Sequence, residues 1–477
     1  MLHPDDLSRL LNGNDTPNAV ESASIRQDLG NLKVQIASLE IQLNSLRGQE
    51  REVWGQIFLL SVAPVLDDFG RDALVNLSLV CWNWRHAALG TLRLWGGIKI
   101  FLYHTGRLSY DEIATWLGRS GTMPKTVEIR SVFGNWISAI QFATGPTPWD
   151  SLQSLHLAFS EETRWNDSPK ASRSIFRHLP STLTAPHLQL PSVTRAFREK
   201  DDTYEAVLHI PPEVLQRLKS LALFCDWHGM HVFDMLQHCT DLETLQLDTD
   251  SVLPWEGLEA AEELMENRLK VPMLRTLRFR RAAGIDFLDC VRAPALRHLD
   301  LGCTTAEAAG ELDEEFAETL ENFISQSRLE KKLETLRIYD IYIDAEELGQ
   351  TLAHLRNLRE LTLDRVQMDS PWSFWMQFWD MKSAPGADKG ACLPFLGQMN
   401  LLHLPSKYPF THIADLLAEN KKRVHCQVNV SYEEGSQYTD NDFKDLPLKR
   451  VPVSFRLIPP VPLDESYFSP TGERDFV

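Results

Sequence analysis

The residues best suited to chemistry form one cluster of cysteine and histidine. Zinc is held by four such ligands at tetrahedral geometry, and the candidates are Cys225, His228, His231, His238 and Cys239. Their spacing argues against a shared metal, because Cys225 directly follows a predicted strand whereas residues 228–239 have the pattern of a helix. On that helix His231 and His238 share a face, but the neighbours His238 and Cys239 diverge by about 100°. We therefore expect no metal site and no cofactor.

Sequence motifs of catalysis and nucleotide binding are missing. The chain contains no G-x-x-x-x-G-K-[ST] string, no dinucleotide-binding glycine string, no G-x-S-x-G and no H-E-x-x-H. Its many Asp and Glu residues are spread through the chain without a recognisable pair. We therefore expect a protein that is not an enzyme.

Composition and charge describe a globular, acidic chain. Of its 477 residues, 43% are hydrophobic and 24% are charged, which excludes collagen-like, low-complexity and disordered classes. The formal net charge of −18 repels nucleic acid and anionic membranes. The seven cysteines include no C-x-x-C, as expected of a reducing compartment. Residues 57–66, the most apolar stretch, are too short to span a bilayer, so we expect a cytoplasmic or nuclear protein with no membrane partner.

Residues 25–47 have the spacing of a coiled coil. Large aliphatic side chains recur there at alternating steps of four and three, which is the 3.5-residue period of a coiled-coil stripe. They are Ile25, Leu29, Leu32, Ile36, Leu39, Leu43 and Leu46. Of the pairs that flank such a stripe, only Asp28 with Lys33 is complementary in charge. Two interpretations stay open: this helix pairs with a second copy or another helical partner, or it folds back on the chain's own body.

The next segment has two short helical patterns with apolar faces. The first is Glu52-Val53-Trp54-Gly55-Gln56-Ile57-Phe58. In the second, residues spaced by three or four are predicted to share one stripe of a single helix: Leu74, Leu77, Cys81, Trp84 and Ala88. Two short helices with such faces cannot bury them alone.

This segment resembles the F-box, especially its form in mushroom-forming fungi, where a short coiled coil precedes the box and a leucine-rich body follows. The match reads E-[IV]-x-x-x-I-F and then L-S-x-V-C-x-x-W-R-x-x-A-L-x-T-x-x-L-W. The resemblance implies binding of a Skp adaptor through Val53, Ile57, Phe58, Leu77, Val80, Cys81, Trp84 and Trp95. Two departures stand out: Gln49-Glu50 replace a Leu-Pro that packs on the adaptor in the family, and Trp82 replaces a basic residue. The alternative is a helical hairpin that only caps the body.

A leucine repeat dominates the rest of the chain. The string L-x-x-L-x-L, or a close variant, recurs at a mean step of about 30 residues, close to the leucine-rich-repeat range. Its copies start at residues 124, 152, 185, 218, 242, 274, 296, 333, 358 and 396. Helical patterns lie between the copies, at residues 257–267, 313–325, 344–355 and 412–420. We therefore predict an α/β fold: a short coiled-coil helix, a helical F-box, and a curved leucine-rich-repeat solenoid with a parallel sheet on its concave face.

The predicted organisation has five parts. They are a disordered N-terminus at residues 1–24, the coiled-coil helix at 25–47, the F-box-like domain at 48–98, the solenoid at 99–430 and a Pro-rich, partly acidic tail at 431–477.

Target binding is predicted on the concave face, through residues that point away from the buried leucines. The candidates are Phe224, Gln246, Arg278, Arg280, Asp300, Arg337, Tyr339 and Asp364. Arg and Tyr dominate interface hot spots. The alternative is that the arginines pair with aspartates across strands and only stabilise the sheet.

Two long insertions carry further candidates. An acidic run at residues 311–321 is either a solvated helix face or a site for a basic partner. The second insertion holds aromatic residues that either pack in the core or face a partner: Trp372, Phe374, Trp375, Phe378 and Trp379.

The resemblance thus implies a non-catalytic role, as the substrate-recognition subunit of a Skp–cullin–F-box ubiquitin ligase. The box would bind the Skp adaptor and through it a cullin ligase, while the repeat body would bind an unknown protein substrate. The alternative is a leucine-rich-repeat interaction scaffold that joins no ligase.

Overall fold

The computed structural model describes thirteen stretches of the chain and the single residues 8, 12, 13 and 16. The stretches are residues 18–102, 110–131, 151–159, 179–190, 210–225, 229–248, 266–282, 285–303, 315–371, 373–375, 393–405, 426–432 and 453–458. They divide into two compact units, Met1–Lys99 with Thr115–Met123, and Ile100–Ala114 with Pro124–Val477. A long N-terminal helix followed by a parallel sheet with short helices confirms the predicted α/β class.

The described helices fall into a group before the sheet and a group between its strands. Those of the first group are α1 (Ala19–Ser61), α2 (Asp68–Val80), α3 (Trp82–Gly90) and a 3-10 turn at Leu92–Trp95. Those of the second are α4 (Tyr110–Gly118), α5 (Pro212–Leu215), α6 (Gly229–Leu236), a 3-10 turn at Asp286–Cys290, α7 (Phe316–Ser327) and α8 (Ala345–Ala353).

Helix α1 is one unbroken helix of 43 residues. It begins with a capping box, in which the Asn18 side chain accepts a hydrogen bond from the Glu21 N–H and the Glu21 carboxylate accepts one from the Asn18 N–H. It then continues past residue 48 to Ser61. The predicted coiled coil and the first helix of the box are therefore parts of one element.

The prediction that residues 74–88 form a single helix is wrong. Cys81 has an extended backbone (φ −157°, ψ 169°), so it ends α2 and starts α3. Its sulfur accepts a hydrogen bond from the Trp84 N–H at 3.5 Å and so caps α3. Leu74 and Ala88 are buried, but Cys81 is exposed and Trp84 is half-buried. The five residues therefore do not form one buried face.

Thirteen of the fifteen described strands form one sheet, in the order of the chain. The other two, β7 and β9, pair separately. The bounds are β1 (Gly97–Leu102), β2 (Lys125–Ser131), β3 (Leu152–Phe159), β4 (Ala185–Gln189), β5 (Ser220–Phe224), β6 (Thr244–Asp248), β7 (Leu269–Lys270), β8 (Thr276–Ala282), β9 (Val291–Arg292), β10 (His298–Cys303), β11 (Thr335–Ile343), β12 (Glu360–Met368), β13 (Gln398–Leu404), β14 (Cys426–Tyr432) and β15 (Val453–Leu457).

The leucine repeat sets the register of this sheet. From β2 to β15, each strand pairs in parallel with the next strand of the sheet. Equivalent leucines lie opposite one another on five successive strands, and all are buried: Leu245, Leu277, Leu299, Leu336 and Leu361. Burying one such side chain contributes about 2 kcal/mol. The expected repeat body is therefore present as a stack of near-equivalent units.

Helices α7 and α8 confirm two of the predicted helical segments. Helix α7 buries Phe316, Leu320 and Phe323 on one face. At the start of α8 the Asp344 carboxylate accepts hydrogen bonds from the N–H groups of Glu346 and Glu347. The predicted helix at 412–420 and residues 257–265 of another lie outside the described residues.

The sheet extends beyond its predicted end. Strand β14 runs to residue 432, and β15 lies wholly within the predicted tail. In β15, Phe455 pairs with Val428 and Leu457 pairs with Val430. The pattern of two apolar residues two apart thus continues through β14 and β15, although only one of these four residues is a leucine. In the described part of the chain, no helix has both the length and the apolar character that crossing a membrane requires.

Candidate protein-interaction surfaces

Aromatic side chains join α1 to α3 in the first unit. The ring centroid of Trp84 lies 4.8 Å from that of Trp54 and 5.4 Å from that of Phe58. Phe58 is buried, whereas both tryptophans are half-buried. Trp84 thus holds the two helices together while part of its ring reaches the surface.

Gly55 allows α1 to approach the end of α3 closely. A Cβ atom on Gly55 would lie 2.2 Å from Oγ1 of Thr91, far inside contact distance. That hydroxyl donates a hydrogen bond to the carbonyl of Ala87 at 2.7 Å. The fourth residue of the segment 52–58 therefore has to be small because of the packing in this unit.

Trp95 is a core residue of the unit. Its indole N–H donates to the carbonyl of Ala88 at 2.8 Å, and its ring lies 4.6 Å from that of Trp116. The guanidinium of Arg119 lies 4.6 Å from the same ring. Trp95 and Phe58 thus support the unit from inside, although the F-box resemblance lists them with the adaptor-binding residues.

Other predicted adaptor-binding residues are on the surface. Val53 is 59% exposed, Ile57 42% and Val80 62%. Cys81 is exposed and Leu77 is half-buried. Twenty-one large hydrophobic side chains are exposed among the described residues, and nineteen of them lie between residues 20 and 92. Apolar exposure is therefore concentrated in the first unit.

The stripe of the predicted coiled coil accounts for six of those side chains. Leu29, Leu32, Ile36, Leu39, Leu43 and Leu46 are between 47% and 63% exposed, and Ile25 is half-buried. Burial of this stripe requires packing against another helix or against other parts of the chain, which are the two interpretations given above for residues 25–47.

Residues at the two positions where this segment departs from the F-box pattern make contacts between α1 and α3. Glu50, on α1, accepts a hydrogen bond from the side-chain amide of Asn83 at 3.2 Å. Trp82 is exposed, and the guanidinium of Arg51 lies 5.3 Å from its ring centroid. A basic group is thus present beside position 82, although it comes from α1.

In the second unit, one face of the sheet carries the residues that alternate with the buried leucines; we call it the polar face. One row holds the residue between the last two apolar positions of each repeat: Glu128, His156, His187, Ala222, Gln246, Arg278, Asp300, Arg337, Thr362, Asn400, Asn429 and Arg456. A second row, two residues later on each strand, includes Phe224, Asp248, Arg280, Tyr339 and Asp364. All eight predicted target-binding residues lie in these two rows.

Ion pairs within the sheet occupy four of those eight residues. Arg280 bonds to Asp300, and Nη2 of Arg337 lies 2.6 Å from Oδ2 of Asp364. The other oxygen of Asp364 lies 2.8 Å from Nδ1 of His403. These contacts match the alternative that the arginines pair with aspartates across strands. Phe224 and Gln246 are buried as well.

Gly302 provides the space in which the Arg280 side chain lies. A Cβ atom on Gly302 would be 2.9 Å from Cδ of Arg280 and 3.5 Å from the ring of Tyr339. The guanidinium of Arg280 is 5.7 Å from the centroid of that ring. Burial, the main cause, raises the pKa of the Tyr339 hydroxyl. Tyr339 and Arg280 thus form part of a packed polar network.

Aromatic rings in mutual contact lie on the polar face between β3 and β5. The ring centroids of His156 and His187 are 4.0 Å apart, and His187 stacks on Phe224 at 4.7 Å. Burial lowers the pKa of His187 to about 2, with smaller contributions from His156 and Arg130. His187 is therefore a neutral packing residue at physiological pH.

Arg278 differs from the other predicted residues because it is exposed and has no partner among the described residues. It lies at a groove of about 430 Å³ on the polar face, across β8 to β13. Sequence reasoning missed Glu360 and Asn400, which also line it. Asn400 lies between Met399 and Leu401, so the rule that selected the other candidates would have selected it too.

The two cysteines among the candidate zinc ligands, Cys225 and Cys239, are buried thiols. The Cys239 thiol donates to the carbonyl of Met235 at 3.5 Å, and burial raises its pKa to about 12. Within the described residues, no group of three or more His, Cys, Asp or Glu side chains is placed to hold a metal ion. His228 lies outside them.

The two insertions are described only in part. Phe374 and Trp375 are fully buried against each other, as the core-packing interpretation predicts. Trp372, Phe378 and Trp379 lie outside the described residues. Glu318 and Glu321 are exposed on α7, as expected of a solvated helix face, and residues 311–314 again lie outside.

Comparison with known proteins adds no relative: no protein-family model matches this chain, and no curated protein matches it in sequence.

Proposed function

We propose that this chain is the substrate-recognition subunit of a Skp–cullin–F-box ubiquitin ligase. In this role the first unit binds the Skp adaptor, and through it a cullin ligase, while the polar face of the second unit binds a protein substrate. The box motif at residues 52–95 is the basis for naming this adaptor.

The observation that carries the proposal is the apolar surface of the first unit. Val53, Ile57 and Val80 are exposed, while Phe58 and Leu74 beside them are buried. A folded unit that leaves this many large apolar side chains in water gains by burying them in a partner. The exposed residues include members of the box motif, which is what an adaptor-binding surface requires.

The chemical contribution of such a subunit is proximity. Holding a target beside a charged conjugating enzyme converts a bimolecular transfer into a nearly intramolecular one. The chain itself makes and breaks no bond in this mechanism.

The test measures binding between the purified full-length chain and purified Skp adaptor by titration calorimetry. The variant Ile57→Asp with Val80→Asp should bind at least about tenfold more weakly, since central apolar contacts dominate such interfaces. The matched control is Met273→Asp with Phe395→Asp, which changes the two exposed large hydrophobic residues that the structure describes outside the first unit. Adaptor binding should be unchanged in the control. A wild-type chain that shows no binding at micromolar concentration overturns the proposal.

A second candidate function is an interaction scaffold that joins no ligase. The observation that favours it is that α1 passes through Gln49 and Glu50 without a break, and that Glu50 is bonded to Asn83. Two polar residues within a continuous helix thus stand where the family has an apolar Leu-Pro that packs on the adaptor. The same calorimetric experiment separates the two functions, because a scaffold would retain protein partners without binding the adaptor.

A further inference from the structure

The groove on the polar face has a mostly neutral, internally bonded lining. Its polar residues come from five strands, β8, β10, β11, β12 and β13, and include Arg278, His298, Asp300, Arg337, Glu360 and Asn400. Nδ1 of His298 lies 2.9 Å from the Thr335 hydroxyl, and the charges of Asp300 and Arg337 are already paired. These four groups offer shape and hydrogen bonding but no free charge.

Two charges of the groove remain without a counter-ion among the described residues. Arg278, on β8, is exposed and makes no ion pair, and Glu360, on β12, accepts only a hydrogen bond from the amide of Asn400 at 3.1 Å. They lie at opposite sides of the groove. The groove therefore presents one positive end and one negative end.

An amide ladder fixes the negative end. The Asn400 amide also donates to the Thr362 hydroxyl at 2.9 Å, and its oxygen accepts from Asn429 at 2.7 Å and from Gln398 at 3.0 Å. The Glu360 carboxylate is thus held by a partner that is itself held on three sides. A ligand that binds a preorganised group loses less free energy in ordering it.

The separation of the two charges follows from the sheet. Arg278 and Glu360 are three strand spacings apart in the order β8-β10-β11-β12, or about 14 Å. The register places Glu360 two residues nearer the start of its strand, which adds about 7 Å at right angles. The backbone positions are therefore about 16 Å apart, a span that an extended peptide covers in about five residues.

We infer that the groove binds an extended peptide segment that carries an acidic side chain at Arg278 and a basic side chain at Glu360, four or five residues apart. The inference rests on the proposed role of the polar face and names the class of segment that it recognises. A polyanion such as nucleic acid would meet Glu360 with like charge. A small metabolite would be too short to reach both ends.

The test selects peptides from a phage-displayed library of random decapeptides on the immobilised full-length chain. Wild type should enrich peptides with one acidic and one basic residue four or five positions apart, in a fixed order. The variant Arg278→Glu with Glu360→Lys should enrich the same separation in the reverse order. A peptide from the wild-type selection should bind Arg278→Glu at least about tenfold more weakly.

The matched control is Arg297→Glu with Glu334→Lys, which exchanges the charges of an exposed 2.9 Å ion pair outside the groove. This variant should enrich the wild-type pattern. No enrichment, enrichment without the spaced charge pair, or an unchanged order in the groove variant overturns the inference. Because the selection needs no adaptor, its outcome is independent of whether the chain joins a ligase. Circular dichroism of each variant checks that it is folded.

Discussion

Replacing Gly55 by alanine sets two opposing effects against each other in the first unit. Alanine favours a helix over glycine by about 1 kcal/mol, and Gly55 lies inside α1. However, the added Cβ would lie 2.2 Å from Oγ1 of Thr91. Overpacking of this kind costs about 1–3 kcal/mol because neighbouring atoms must move. The very short contact places this cost in the upper half of the range, at about 2–3 kcal/mol, so we expect a net loss of about 1–2 kcal/mol in the stability of this unit.

The same helix provides the controls. Gly30 and Gly48 have no atom within 4 Å of an added Cβ, so Gly30→Ala and Gly48→Ala should each stabilise α1 by up to about 1 kcal/mol. Three identical substitutions in one helix should thus give opposite signs, according to packing alone.

A second substitution isolates the steric contact. Thr91→Ala removes the hydroxyl, which costs about 1 kcal/mol through its lost hydrogen bond to Ala87. In Gly55→Ala with Thr91→Ala, the shortest remaining contact of the new Cβ is with the β-carbon of residue 91, at 3.4 Å. The double variant should therefore lose at least about 1 kcal/mol less than the sum of the single variants.

Hydrogen exchange of peptides from α1 and α3, read by mass spectrometry, measures the free energy of opening in this unit alone. If Gly55→Ala slows exchange in α1 as much as Gly48→Ala does, then α1 does not pack against Thr91 as described. The packing of the box helices would then have to be revised.

Three further predictions concern acid stability, association and the sheet network. Between pH 7 and pH 5 the free energy of unfolding should fall by about 2 kcal/mol through His187, because its folded-state pKa of about 2 lies below the unfolded value of 6.5 and the unfolded chain takes up the proton first. Urea titrations of wild type and His187→Phe at both pH values check this, and an equal pH dependence of the two proteins would contradict it. Ile36→Asp with Leu43→Asp should abolish a dimer formed through the exposed stripe, because burying an unpaired carboxylate in an apolar interface is strongly unfavourable. Light scattering measures the dimer, and a wild type that is monomeric at tens of micromolar excludes it. Asp364→Ala should lower the melting temperature, because it removes a buried partner of Arg337 and so reduces the free energy of unfolding by about 3 kcal/mol. A reduction of less than about 0.5 kcal/mol would show that this ion pair does not stabilise the sheet.

The repeat body could be predicted from the sequence because its signal is periodic and apolar. Apolar residues two apart, most often leucine, recur on the strands of the sheet, and burial of one face leaves them a single register. The last strand was missed because Phe455 and Leu457 preserve the spacing but not the leucine composition. A search for any two large apolar residues at that spacing would have found it.

The helix break at Cys81 could not be predicted from spacing. Helix α2 ends at Val80 and α3 begins at Trp82, so a single extended residue interrupts the pattern without changing the count along the sequence. Periodicity records positions along the chain and is insensitive to a break of one residue. The cue that was present is the cysteine itself, because its sulfur can accept a bond from the third residue of the following helix, as a polar cap does.

Which charges of the polar face are paired depends on the register between strands, and these strands are separated along the chain by insertions of unequal length. Arg280 pairs with Asp300, whereas Arg278, two residues earlier, does not pair with any described residue. Both arginines alternate with buried residues in the same way, so the sequence pattern gives them equal weight. Only the distances across strands distinguish a structural arginine from one available for binding.

The unbroken length of α1 fixes both the distance and the angle around the helix axis between its two exposed apolar sites. Ile36, in the stripe, and Ile57, in the box, are separated by 21 residues of continuous helix, which is about 32 Å along its axis. Inserting one residue between them would advance one site by about 1.5 Å but turn it by about 100° around the axis. Inserting seven would lengthen the spacing by about 10 Å and nearly restore the angle. The angle between the two sites around the helix axis is therefore far more sensitive to insertions than the distance between them. Insertions and deletions in this helix should be tolerated mainly when they comprise whole heptads.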